Sequence, residues 1–120
     1  MGEPPTALVV EDDVRQRALV SVLLEESDLR VVQCDSAEAA LEALDEIGPH
    51  LAMIFTEVEL AGDIDGIELA HQARERFPDL RIVVTSGAPR VRRLPDGTTF
   101  MVKPWVPLDV LREAQHALMH

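Results

Sequence analysis

Thr6-Ala-Leu-Val-Val-Glu-Asp-Asp13 is the stretch on which the fold turns. Its first five residues are an apolar run of the kind that forms a strand buried on both faces, and three carboxylates follow at once. From Val14 to Glu26 apolar residues recur at helical spacing, so a strand feeds a helix across an acidic turn. Working outward, the same pattern repeats. A second strand is expected over Leu29 to Cys34. Asp35 or Ser36 then caps a helix with Ala39, Ala40, Leu41 and Leu44 on its inner side, closed by Gly48-Pro49. Leu51 to Thr56 reads as a third strand, Gly66 to Phe77 as a third helix ended by Pro78, and Ile82 to Thr85 as a fourth strand. Between Ala88 and Gly97 a fourth helix is expected to be short or irregular, because Pro89, Pro95 and Gly97 leave space for only about two turns. Thr99 to Val102 is a fifth strand, and Pro107 opens a last helix with Leu108, Leu111, Ala114 and Leu118 directed inward. Strands alternating with helices predict an α/β chain: a doubly wound, five-stranded parallel sheet, in a single domain over residues 1–120.

Composition narrows the function. With 120 residues and 47% hydrophobic content the chain fills one core, and 6 Gly plus 8 Pro are too few for a low-complexity chain. A net charge of -11 repels phosphate backbones and anionic lipid, which argues against nucleic-acid and membrane partners. The basic cluster Arg90, Arg92 and Arg93 reads as a solvated loop. Cys34, the single cysteine, reads as a small core residue. His50, His71, His116 and His120 lack metal-site pairing or an adjacent nucleophile and are assigned to the surface. The N-terminus lacks a basic region followed by an apolar stretch, and no apolar run reaches the roughly 18 residues of a membrane helix. A cytoplasmic protein is expected.

In an open doubly wound sheet, ligands bind outside the carboxyl ends of the strands. There this chain places Glu11, Asp12 and Asp13 after the first strand, Glu57 and Glu59 after the third, Ser86 and Gly87 after the fourth, and Lys103 after the fifth. Clustered carboxylates raise one another's pKa unless a cation relieves them, and hard oxygen ligands suit Mg²⁺. Glu11, Asp12, Glu57 and Glu59 are its candidate ligands. Ser86, Gly87 and Lys103 complete a cage for the oxygens of a phosphoryl group. The first loop has no glycine-rich phosphate cradle, which disfavours a metal-dependent phosphatase or nucleotide-binding enzyme.

Over nearly its whole length the chain resembles the receiver domain of two-component response regulators. Leu8-Val9-Val10-Glu11-Asp12 resembles the first strand with its Mg²⁺-holding acidic pair, Asp65-Gly66 the opening of the third helix, Ser86 the hydroxyl position, and Lys103-Pro104 the lysine with its cis-proline. The resemblance implies a flavodoxin-like sheet of strand order 2-1-3-4-5. It implies a switch at Ser86 and Phe100, with an output face of fourth helix, fifth strand and fifth helix. Its partners would be a histidine kinase, a phosphotransfer protein or a downstream effector, met by a stand-alone or excised receiver that is not an enzyme and is a monomer or weak dimer.

Two departures stand out. The loop from Leu60 to Gly66 is one residue longer than the common version, with Ala61 where proline is frequent, and is expected to be mobile. Glu57 occupies the phosphoacceptor position, where the family has aspartate. The extra methylene moves the carboxylate by about 1.3 to 1.5 Å, and a displacement of about 1 Å spoils in-line attack. Normal phosphorylation is therefore expected to be impaired or imitated, and a Glu57–Lys103 pair would weaken or abolish Mg²⁺ binding. The alternative is phosphorylation at Glu57 itself or at a neighbouring carboxylate such as Asp12.

Overall fold

The computed structural model describes residues 4–89 and 91–119; Met1 to Glu3, Arg90 and His120 of the sequence readings lie outside them. Five strands, β1 (Thr6–Val10), β2 (Arg30–Cys34), β3 (Leu51–Glu57), β4 (Arg81–Ser86) and β5 (Thr99–Val102), form one sheet in the order β2-β1-β3-β4-β5. Every pairing is parallel. The helices are α1 (Val14–Glu26), α2 (Ala37–Ile47), α3 (Gly66–Arg76) and α4 (Pro107–Leu118).

The twofold alternation of side chains along each strand divides the core in two. Leu8, Val10, Ile54, Ile82 and Val84 point to one face, where Ala40 and Leu44 of α2 and Ile67, Ala70 and Ala73 of α3 cover them. Ala7, Val9, Met53, Phe55 and Val83 point to the other, beneath Val20, Leu23 and Leu24 of α1 and Val110, Ala114 and Ala117 of α4. β1 is buried throughout because it lies inside the sheet under both layers. Cys34 is buried as expected.

Two sequence expectations are corrected. The described residues between β4 and β5 contain no helix. Val91 and Leu94 instead anchor an irregular strap to the α2–α3 side of the core, His71 Nε2 lies 2.9 Å from the carbonyl oxygen of Arg93, and Arg92 pairs with Asp65 at 2.8 Å. Pro89 and Pro95 each remove an amide donor and Pro95 obstructs the turn before it, so a helix here has little to set against the anchored strap. In α4 the inward face is Val110, Glu113, Ala114 and Ala117, while Leu108 and Leu118 face outward. The buried Glu113 is matched by Arg81, whose Nη2 lies 2.6 Å from Glu113 Oε1.

Caps settle where the other helices begin. Ser36, not Asp35, accepts from the Ala39 amide, Asp13 accepts from Gln16, and Asp65 accepts from both Ile67 and Glu68. Gly66 starts α3 hard against the end of β3: a Cβ there would lie 1.9 Å from the Glu57 carbonyl oxygen, which is backbone and cannot turn aside. Urea unfolding tests this packing. Gly66→Ala is expected to cost about 3 kcal/mol or more, the upper end of overpacking. Gly87→Ala, with open space around the added carbon, should change stability by less than about 1 kcal/mol.

Candidate functional site

The strands deliver their last residues to one edge of the sheet. Glu11 follows β1 and is buried; Glu57 ends β3 and is buried; Ser86 ends β4 and is fully buried; Lys103 follows β5. The Lys103 amide donates to the Ser86 carbonyl at 2.8 Å, so the ends of β4 and β5 are tied together, and the Lys103–Pro104 peptide is cis. From this position Lys103 Nζ reaches Glu57 Oε2 at 2.6 Å. Ser86 Oγ donates to Glu59, 2.9 Å from Oε1 and 3.2 Å from Oε2, and accepts from the Ala88 amide.

The Glu57 carboxylate and Lys103 are thus already joined, and the Ser86 hydroxyl is engaged by a second carboxylate. Gly87 is exposed beside Ser86, and Asp12 is exposed at the rim. Asp13 is turned away to cap α1. Phe100 is half-buried in β5 and packs against the α2–α3 side of the core.

Sequence reasoning missed three supporting residues. Arg17 Nη1 donates to the Glu11 carbonyl at 2.8 Å and Arg17 Nε to Gln33, fixing the acidic turn after β1. Glu38 Oε2 accepts from the Asp63 amide at 2.8 Å, so the longer loop, expected to be mobile, is tied to α2. Arg92, read as part of a solvated cluster, holds the capping Asp65. Arg17 lies one turn past the Asp13 cap, and Glu38 lies in the first turn of α2; only their place at helix starts facing the sheet edge hinted at a role.

Burial raises the pKa of Glu57 to about 7; Lys103 opposes that rise, while Glu11 and Glu59 add to it. Burial also raises Glu11, again against the pull of Lys103. For Lys103 itself burial disfavours the charge, but contact with Glu57 and the charges of Glu11 and Glu59 outweigh it and hold the ammonium beyond its ordinary range. Carboxylates outnumber cations here, and their hard oxygens are the donors Mg²⁺ prefers. Among the described residues no three acidic, histidine or cysteine side chains stand together as a ligand set, and Glu57 and Glu59 are engaged by Lys103 and Ser86.

Because folding raises the Glu57 pKa, the folded chain keeps a proton that the unfolded chain has released between pH 4.5 and about 7. Stability attributable to this group is therefore greatest below that window and declines as pH rises through it. Thermal melts of the wild type and Glu57→Gln in chelator-treated buffer should diverge there, with the wild type losing ground as pH increases.

Comparison with known proteins agrees with the geometry. The family pattern described as "Response regulator receiver domain" matches residues 7–107. The chain is 33% identical over 124 residues to the two-component response regulator ORR5 of Oryza sativa subsp. japonica, covering 98% of this chain and 91% of that protein. It is 30% identical to the response regulator receiver protein CpdR of Brucella abortus, covering 93% and 95%. In fold it is similar to a response regulator receiver protein from Sinorhizobium medicae, with a TM-score of 0.87 at 23% identity over 98% of this chain and 96% of that one. The fold, the strand-end residues and these relatives converge: this chain belongs to the response regulator receiver domain family of two-component signalling.

Proposed function

We propose that this receiver signals through protein contacts with its acceptor position held by an internal ion pair rather than by a cycle of phosphorylation. The observation that carries this reading is the 2.6 Å contact between Lys103 Nζ and Glu57 Oε2. Glu57 is long enough to occupy the lysine that would otherwise receive a phosphoryl oxygen. It imitates a phosphoryl group only in part, bringing one charge and two oxygens against about -1.5 to -2 and three oxygens.

Receiver domains in general are signalling domains rather than enzymes, and they act with histidine kinases, phosphotransfer proteins or effectors. For this chain the contact face is β5 with the outward side of α4, where Val102, Val106, Leu108 and Leu118 are exposed. The strap between β4 and β5 takes the place of a helix on that face, and Phe100 packs against the same side of the core as Val91 and Leu94 of the strap. The reading places this signalling in the cytoplasm. No helix among the described residues is long and apolar enough to cross a membrane.

Mg²⁺ binding at Glu11, Asp12, Glu57 and Glu59 requires Glu57 to leave Lys103 and Glu59 to leave Ser86. Trp105, packed edge-on against Phe55 at 5.9 Å and just past Lys103, is placed to report it. Its fluorescence should respond to Mg²⁺ at lower concentration in Lys103→Met than in the wild type, because the competing ammonium is gone.

Intact mass after treatment with a small phosphodonor and Mg²⁺ tests the main reading. The wild type should stay unmodified and Glu57→Asp should gain about 80 Da, one phosphoryl group. A stable adduct mapped to Glu57 in the wild type would overturn the proposal.

A further inference from the structure

Helix α1 is apolar on both sides. Val20, Leu23 and Leu24 face the sheet, yet Val14, Leu19 and Val22 on the opposite side are 68%, 48% and 50% exposed. Arg15, Ala18, Val22 and Glu25 are all exposed and follow one another at intervals of three, four and three residues, the spacing of a two-helix seam. Their order is a cation, two apolar residues and an anion.

That order is complementary to itself. If a second α1 lies antiparallel with the twofold axis at the level of Val20, Arg15 meets Glu25 of the second copy and Ala18 meets its Val22, and symmetry makes each contact twice. Leu19 and Val14 border the seam on its two sides. The seam residues sum to zero charge in a chain of net charge -11, so repulsion between copies has no source within the seam itself. Asp12 and Glu26 at the two ends of the helix are exposed and add repulsion there, which keeps the pairing reversible.

From this complementarity we infer that α1 is a self-association surface whose occupant is α1 of a second copy, paired antiparallel. A helix of 13 residues is about 20 Å long, and such a seam falls below the roughly 800 Å² per partner of a stable interface, so the dimer is transient. The seam borders a groove of about 340 Å³ lined by Arg15, Gln16, Leu19, Lys103, Pro104 and Trp105. Because Arg15 belongs to both and Leu19, in the groove, borders the seam, pairing covers one approach to Lys103.

Sedimentation velocity of the 120-residue chain from micromolar to millimolar concentration tests the inference. The wild type should shift toward dimer as concentration rises. Arg15→Glu and Glu25→Arg should each weaken association about tenfold or more. The equimolar mixture of the two variants should recover it, since each then meets an opposite charge, and so should the double variant in one chain. Recovery in the mixture also shows that both variants fold, and circular dichroism checks this independently. A wild type that stays monomeric to millimolar concentration overturns the inference and leaves the seam to a helix of another protein. Association that ignores the single reversals, or that neither combination restores, overturns it equally.

Discussion

Lys103, after β5, and Glu57, at the end of β3, meet across the end of β4, and their ion pair is the constraint around which the acidic pocket is arranged. A buried carboxylate without a partner costs several kcal/mol, and removing one member of a buried pair typically costs about 3 to 5 kcal/mol. Glu57 is buried and has Glu11 and Glu59 as electrostatic neighbours. Lys103 therefore does more than neutralise one charge; it makes the convergence of carboxylates compatible with folding. The cost is visible in the raised pKa values of Glu57 and Glu11, which burial pushes up even with the ammonium present.

From this pair the rest of the functional edge follows. With Lys103 taken by Glu57, the Ser86 hydroxyl turns to Glu59, and the Ser86 carbonyl binds the Lys103 amide. Glu59 begins the loop that Glu38 grips at Asp63 and that ends in Asp65, the cap of α3. Asp65 in turn pairs with Arg92 of the strap that stands where a helix would lie. Burial raises the Asp65 pKa, but the Glu68 amide and Arg92 outweigh it and lower the net value, so this link is strongest when the carboxylate is ionised. Polar contacts and the loop backbone from Glu59 to Asp65 together connect Glu57 to the surface between β4 and β5.

The centre of the sheet is legible because β1, β3 and β4 are nearly uninterrupted apolar runs, as burial on both faces favours. Helix starts were readable where a short polar side chain precedes apolar periodicity, as at Ser36 and Asp65. The strap was not: proline and glycine at positions 89, 95 and 97 signalled a weak helix, but whether such a segment winds or lies flat depends on Val91, Leu94 and Arg92 finding partners on α3 and the core. On α4 helical spacing places Ala114 and Leu111 inward correctly but not Leu108 and Leu118. Leu108 and Leu118 are exposed at the two ends of the helix, and Val110, Ala114 and Ala117 fill the core. At the site, residue identity predicted convergence of Glu11, Glu57, Ser86 and Lys103. The pairing of Ser86 with Glu59, and the supports from Arg17 and Glu38, depend on side-chain reach across elements that sequence spacing does not encode.

The central claim is that Glu57 and Lys103 stabilise each other directly, and a double-mutant cycle measures that without reference to any partner or ligand. Unfolding free energies of the wild type, Glu57→Gln, Lys103→Met and the double variant, determined in urea at neutral pH with chelator present, isolate the pairwise term. A favourable coupling of about 1 to 3 kcal/mol, at the upper end of directly contacting pairs, is predicted. Additive effects, with a coupling near zero, would contradict the account and return Glu57 to the status of an isolated substitution at the acceptor position.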